Sequence, residues 1–172
     1  MKRPSRRAFA AALAAAALPA RAGAQSNARS AAQAFADLKA LAGDWQGRTE
    51  SGRTFLVNYR LIANETVLIE TWTMSPTRQS MTVYHMDGGD LLATHYCPIG
   101  NQPRLRYRPD LSGERLEFSF RDATNLQDAS AAHQHAFWVR INAGGAFVRN
   151  ETYIENGEAG SETASFSRIA QP

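Results

Sequence analysis

The sequence predicts an all-β protein: a single closed antiparallel barrel of about ten strands with one N-terminal helix, preceded by a signal peptide. Residues 44–168 are short alternating or β-branched runs separated by turn residues, and only one segment before them has helical spacing. Ten consecutive antiparallel strands avoid exposed edges by closing on themselves, and such a barrel can hold one small ligand. A chain of 172 residues has the length of one domain with one core.

Residues 1–24 are the predicted leader. A basic start is followed by an apolar run from Phe9 to Leu18 and by Ala22-Gly23-Ala24, the layout of a secretory signal with an A-x-A cleavage site. Ser5-Arg6-Arg7-Ala8-Phe9 resembles the twin-arginine export signature, and an ordinary arginine-rich signal is the alternative. The apolar run is shorter than the about 20 residues that cross a bilayer. We therefore expect a periplasmic or secreted protein with no transmembrane segment after cleavage.

The charge of the mature chain argues against a nucleic-acid partner. Five of the 19 Lys and Arg residues, and none of the 16 acidic residues, precede Gln25, so cleavage changes the net charge from +3 to −2. No basic run remains. The only cysteine, Cys97, cannot form an intramolecular disulfide, and we expect it to be a small buried side chain.

One helix precedes the barrel. Residues 25–43 form the N-terminal helical segment, in which Phe35, Leu38 and Leu41 have helical spacing and Gly43 follows as a stop signal. The predicted β-barrel spans residues 44–172. Its predicted strands are 44–50, 54–62, 65–74, 79–87, 90–97, 103–108, 114–121, 135–142, 146–155 and 159–168.

Most connections between the predicted strands are short. Ala63-Asn64, Gly88-Gly89 and Asn156-Gly157 are predicted two-residue hairpin turns, in which Gly and Asn supply positive φ. Residues 122–134 form a longer polar connection, which we interpret as a lid or a covering segment. The turn at 142–145 allows two pairings of the strands around it.

Strands 54–62 and 65–74 place an acidic residue among aromatic ones. Alternate residues share a face across the hairpin, and one face collects Phe55, Val57, Tyr59, Leu61, Leu68, Glu70 and Trp72. We expect this face to point inward, with Phe55, Tyr59 and Trp72 contacting a ligand. Burying Glu70 without a partner costs several kcal/mol. Glu70 therefore either orients a ligand or acts as a general acid/base, or it pairs with an arginine such as Arg104 or Arg149.

Strands 79–87 and 90–97 give the second candidate face. We predict that Tyr84, His95 and Cys97 lie on the interior side, although neither face is decisively more apolar. Tyr84 and His95 are then candidate ligand-binding residues. His95 is also a candidate catalytic partner of Glu70, and its alternative is a hydrogen-bonded core histidine.

Two further patterns suggest candidate residues for binding a metal ion or a ligand. His133 and His135 have i, i+2 spacing at the start of a strand, which places both imidazoles on one side, and His95 or Glu151 would have to complete a metal site. Arg104 could bind a ligand carboxylate. Its alternative is an outward salt bridge, because Arg104, Arg106 and Arg108 alternate with Leu105 and Tyr107 as on a solvated strand.

Several segments resemble a known family. Leu41–Gly47 (LAGDWQG) resembles the G-x-W entry of the calycins, the group of lipocalins and fatty-acid-binding proteins. Four segments are similar to a group of bacterial exported lipocalin-like proteins: Tyr84–Arg104 (YHMDGGDLLATHYCPIGNQPR), Phe118–Leu126 (FSFRDATNL), His133–His135 (HQH) and 162–169 (ETASFSRI). The resemblance covers nearly the whole mature chain, and it implies that Trp45 closes one end of the barrel.

The ten-strand count resembles the fatty-acid-binding and nitrobindin branch of the calycins. Nitrobindin-like proteins bind haem through a histidine near the chain end. Here the last histidine is His135, and residues 136–172 contain none. We expect neither haem nor another cofactor.

The sequence lacks the common catalytic motifs. It has no GxSxG, no HExxH, no P-loop and no suitably placed GxGxxG. We therefore expect an exported protein that binds a small, largely apolar or amphipathic molecule in the barrel interior. The alternatives are a barrel enzyme performing acid/base isomerisation or hydration with Glu70 and His95, and a protein-interaction module that uses the 122–134 segment. The pattern does not determine the oligomeric state.

Overall fold

The structure is a computed structural model that describes residues 27–170. The predicted leader, residues 1–24, lies outside the described residues. Within residues 27–170 no helix combines the length and the apolar character that crossing a membrane requires.

The described chain is one helix followed by ten strands, as the sequence predicts. The elements are α1 (Ala31–Lys39), β1 (Gly43–Thr49), β2 (Thr54–Ile62), β3 (Val67–Ser75), β4 (Arg78–Asp87), β5 (Asp90–Tyr96), β6 (Gln102–Pro109), β7 (Leu116–Thr124), β8 (His133–Ile141), β9 (Phe147–Glu155) and β10 (Glu158–Arg168). No strand bound differs from the predicted one by more than three residues, whereas α1 is shorter than the predicted helical segment 25–43. The alternating pattern therefore located every strand.

The ten strands close into a barrel. Each strand pairs antiparallel with its neighbours in sequence, and β1 also pairs with β10, from Trp45 opposite Arg168 to Thr49 opposite Ala164. Closure gives both edge strands a hydrogen-bonded partner and removes the exposed edges that an open sheet would have. The predicted fold class is confirmed.

The turns agree with prediction at two hairpins and differ at the third. Gly88-Gly89 and Asn156-Gly157 are two-residue turns, with Asp87 opposite Asp90 and Glu155 opposite Glu158. The β2–β3 turn is longer than the predicted Ala63-Asn64 because Ile62 pairs with Val67. Ala63, Asn64 and Glu65 all have positive φ in this four-residue turn. The register shifts by two residues, an even number, so every side chain stays on its predicted face.

One end of the barrel is closed by the helix and by Trp45. Ser30 and Gln33 form a capping box at the start of α1, and Phe35 and Leu38 are buried. Trp45 is 1% exposed and its Nε1 donates to the Leu41 carbonyl at 2.7 Å. The guanidinium of Arg168 lies 4.3 Å from the Trp45 ring centroid. Trp45 thus occupies the place that the G-x-W resemblance implies.

Packed aromatic and aliphatic side chains fill the half of the barrel next to this closed end. Phe118 stacks on Phe137 with ring centroids 4.5 Å apart, and Tyr84 meets both rings edge-on. Leu105 and Val139 are fully buried beside them. The interior is thus filled at this end of the barrel, whereas a cavity lies at the other end.

Candidate functional site

A cavity of about 390 Å³ lies at the end of the barrel opposite the helix. Its lining includes Thr49 at the last position of β1, whereas Trp45 and α1 lie at the first positions of that strand. Apolar side chains form much of the wall: Phe55, Trp72, Met74, Ile99, Ala132 and Ala164. Polar and charged side chains form the inner surface: Ser80, His95, Arg149, Glu151 and Tyr153.

Phe55 and Trp72 form the aromatic part of the wall, on the face that the sequence predicts to point inward. Their rings stack with centroids 4.6 Å apart, and Phe166 packs edge-on against both. Gly47 on β1 allows this arrangement, because a Cβ atom there would lie 2.3 Å from the Phe55 ring. Tyr59 and Tyr84 also point inward, but they lie deeper in the core and do not line the cavity.

Glu70 is buried and fully engaged by the protein. Its carboxylate accepts hydrogen bonds from Trp72 Nε1, from the Tyr84 hydroxyl and, at 2.8 Å, from Arg149 Nη1. Glu70 is completely buried and does not line the cavity. Of the two arginines that the sequence offered as partners, the structure selects Arg149.

Arg149 lines the cavity and also contacts buried residues of the core. Its Nη1 also donates to the Tyr84 hydroxyl at 3.0 Å, its Nε donates to Glu151 Oε1 at 3.0 Å, and its guanidinium lies 4.0 Å from the Phe137 ring centroid. Burial opposes the positive charge, but Glu70 and the other surrounding groups raise the pKa of Arg149 well above its ordinary value. Nη2 lies 2.9 Å from Glu151 Oε1 as an ion-pair contact, yet it makes no hydrogen bond.

Glu151 is the carboxylate in contact with Arg149 that lines the cavity. Its Oε1 accepts from Gln134 Nε2 at 2.9 Å as well as from Arg149 Nε, and its side chain is 19% exposed. Burial raises the pKa of Glu151, although Arg149 acts in the opposite direction. The sequence offered Glu151 only as a residue that could complete a metal site with His133 and His135.

His95 lines the same cavity from β5, which confirms the interior face predicted for β4 and β5. Its Nδ1 lies 3.0 Å from Thr82 Oγ1 and its Nε2 lies 3.4 Å from the Tyr153 hydroxyl. Burial, with a smaller effect of Arg149, lowers the pKa of His95 from 6.5 to about 3, so the imidazole is neutral near pH 7. His95 and Glu70 flank Thr82 on neighbouring strands, but only His95 reaches the cavity.

Arg104 lies on the outer face of β6 and does not line the cavity. Its Nε contacts the Asp122 carboxylate on β7, and both side chains are more than one-third exposed. The structure therefore places Arg104 in the outward salt bridge that was the alternative to ligand binding.

His133 and His135 contact each other as their spacing predicts. His133 Nδ1 donates to the Ala131 carbonyl at 2.7 Å, and its Nε2 lies 3.1 Å from His135 Nδ1. A register shift between Gln134 and Ala136 leaves His135 without a paired residue on β9. Within residues 27–170 no three side chains of His, Cys, Asp or Glu are grouped to hold a metal ion. Neither His95 nor Glu151 forms such a group with the two imidazoles.

The long connection after β7 covers part of the cavity mouth. It is shorter than the predicted 122–134, because β7 extends to Thr124 and β8 begins at His133. The Ser130 carbonyl accepts from Gly157 N at 3.0 Å, and the Ala132 carbonyl accepts from Asn101 Nδ2 at 2.7 Å. Since Ala132 lines the cavity, this segment is tied to the barrel as a covering segment.

Together these features define a class: a closed ten-stranded antiparallel barrel that is filled at one end and has a cavity at the other, an architecture consistent with a calycin-like barrel. No protein-family model matches the chain, and no curated protein matches its sequence.

Proposed function

We propose that this chain is an exported, calycin-type binding protein that holds one small amphipathic molecule in the cavity at the open end of its barrel. The observation that carries the proposal is the cavity of about 390 Å³, which has an aromatic wall and a polar inner surface. Ligand sites are commonly clefts of about 300–1,000 Å³ with apolar walls and a few fixed polar groups. The leader-like residues 1–24 support export to the periplasm or beyond.

The two surfaces of the cavity suit the two ends of an amphipathic molecule. An apolar body would lie against Phe55, Trp72 and Ala164 and would remove their apolar surface from water. A polar end would lie near Glu151 and Tyr153, where hydrogen-bonding groups are already held in place by β9. Such prior ordering lowers the entropic cost of binding.

Native mass spectrometry of the mature protein from its own host tests the proposal. We expect a retained small-molecule mass that is lost in Ala164→Phe, because the new ring fills the cavity. Ser165→Phe, at an exposed position on the outer face of the same strand, is the matched control and should keep the mass. A wild-type protein that carries no mass and does not bind the neutral dye N-phenyl-1-naphthylamine would contradict the proposal.

A second candidate is acid/base catalysis, with Glu151 in the place that the sequence assigned to Glu70. The observation that favours it is that Glu151, His95 and Tyr153 line one cavity, whereas Glu70 is occupied by three donors. A carboxyl group whose pKa is raised towards the working pH is a suitable general base.

Deuterium exchange tests this candidate. A base that abstracts a proton next to a carbonyl would exchange the α-hydrogens of cyclohexanone with D₂O, as followed by NMR, and Glu151→Gln would abolish the exchange. An exchange rate equal to that of buffer alone would eliminate the candidate and leave ligand binding unaffected.

A further inference from the structure

The buried ionic network next to the cavity, which consists of Glu70, Arg149 and Glu151, has one more acidic than basic side chain. One buried cation, Arg149, contacts two carboxylates, Glu70 and Glu151. The other charged side chains that line the cavity cancel, because Arg53 pairs with Glu162 and the remaining two, Arg78 and Glu155, have opposite signs. A surplus negative charge is costly in a low-dielectric interior, and a nearby cation offsets that cost.

One oxygen of the Glu151 carboxylate has no hydrogen bond to the described part of the protein. Glu70 accepts three hydrogen bonds, and Glu151 Oε1 accepts two, but no hydrogen bond within residues 27–170 reaches Glu151 Oε2. The Tyr153 hydroxyl and the Ser80 side chain line the same cavity and can also accept. The inner surface therefore offers acceptors to a ligand that donates.

We infer that the polar end of the bound molecule is a primary amine, held as its ammonium ion by the free oxygen of Glu151 in the cavity; this inference rests on the proposed binding function. An ammonium group has three donors and no acceptor, so it can donate to Glu151 Oε2 and to further acceptors in the lining of the same cavity, which includes Tyr153 and Ser80. The carbon atoms next to the nitrogen would lie against the stacked Phe55 and Trp72 rings, which also attract a cation.

The same arrangement discriminates against a carboxylate. A carboxylate bound beside Glu151 would bring a third negative group to Arg149, the one cation of this buried network, which already has an ion pair with Glu70 at 2.8 Å. Like charges in a desolvated site repel strongly, so binding would require protonation of one of the acids. Among molecules of equal length the expected order is therefore ammonium first, alcohol second and carboxylate last.

Three probes with the same chain length test the inference: octylamine, 1-octanol and octanoate, each competing with N-phenyl-1-naphthylamine for the full mature protein near pH 7. We expect octylamine to bind at least about tenfold more tightly than octanoate, as for a close buried charge pair. In Glu151→Gln the affinity for octylamine should fall about tenfold or more, while that for 1-octanol changes less than about threefold. Glu155→Gln, which removes a lining carboxylate outside the Arg149 ion pairs, is the matched control and should keep the octylamine preference.

The outcomes separate this inference from the proposed function. Octanoate binding as tightly as octylamine, or more tightly, overturns the inference and leaves the binding function standing. Failure of all three probes to displace the dye overturns both. An unchanged octylamine affinity in a folded Glu151→Gln also overturns the inference. The comparison of probes in the wild-type protein requires no variant, so a Glu151→Gln protein that does not fold still leaves a decisive result.

Discussion

The same ten strands form both ends of the barrel, but their inward side chains fill one end and leave a cavity at the other. Near the helix, inward side chains such as Phe118, Phe137 and Val139 pack against one another and fill the interior. Near the other end, inward positions on β9 have Arg149, Glu151 and Tyr153, and a cavity is left between the strands. The comparison shows that inward orientation does not imply an apolar side chain, because buried polar groups are tolerated where they bond to one another.

The largest expected effect comes from breaking the ion pair that separates the two ends. Arg149→Met should lower the free energy of unfolding by about 3–5 kcal/mol, since it leaves Glu70 buried without its cation. Urea unfolding measures the loss. Arg104→Met, which removes an arginine from an exposed ion pair, is the control and should cost about 1 kcal/mol or less.

The double variant Glu70→Gln/Arg149→Met sharpens this prediction. It removes both fully buried charges together, and the carboxylate that remains, Glu151, is 19% exposed, so a large part of the lost stability should return. An Arg149→Met protein as stable as Arg104→Met would contradict the role that we give to the pair.

The next prediction compares one phenylalanine at each end. Phe118→Ala, in the filled end, should cost about 3–5 kcal/mol through lost packing and a new void. Phe55→Ala, in the cavity wall, should cost about 2 kcal/mol less, because one side of that half-buried ring already faces open space. Chemical denaturation of both variants checks the difference, and equal losses would show that the cavity is closed in solution.

Lowering the pH should decrease the free energy of unfolding, because the buried imidazole of His95 favours the neutral form. The folded-state pKa of His95 is lowered to about 3 from 6.5, so its contribution to stability is complete above pH 6.5 and is lost as the pH falls towards 3. At pH 5 the loss amounts to about 2 kcal/mol, since one pKa unit corresponds to about 1.4 kcal/mol.

The unfolding free energy measured from about pH 7 to pH 4 tests this effect. His95→Gln should flatten the profile, because the buried group no longer titrates. His85→Gln, on the outer face of β4, is the matched control for the loss of one histidine. A profile of equal slope in wild type and His95→Gln would refute the assignment.

The smallest expected effect is at the helix that covers the closed end. Ser30→Ala removes the hydroxyl that accepts from Gln33 N at 3.2 Å and should cost about 1 kcal/mol. Thermal unfolding measures it. Dye binding at the far end should be unchanged, and a large loss of binding would show that the two ends are coupled.

How far the sequence predicts this protein depends on the range of the interactions involved. Period-two alternation is local, so it located all ten strands and oriented Phe55, Tyr59, Glu70 and Trp72 correctly. The turn after β2 has four residues instead of the predicted two, but the predicted faces are still correct, because a register shift of two residues keeps each side chain on the same face. The pattern did not identify Glu151 and Tyr153 as cavity residues, because the turn at 142–145 left the pairing of their strand open.

By itself, then, the chain determined that there would be a barrel with an acidic side chain inside it. Only the tertiary structure decided that Arg149, 79 positions away, would be the partner of Glu70, that Arg104 would face solvent, and that Glu151 rather than Glu70 would face the cavity. The physical reason is that hydrogen-bonded closure of β1 onto β10 fixes which distant strands face each other across the interior. The alternation of inward and outward side chains along one strand does not specify which residues of distant strands meet across the interior.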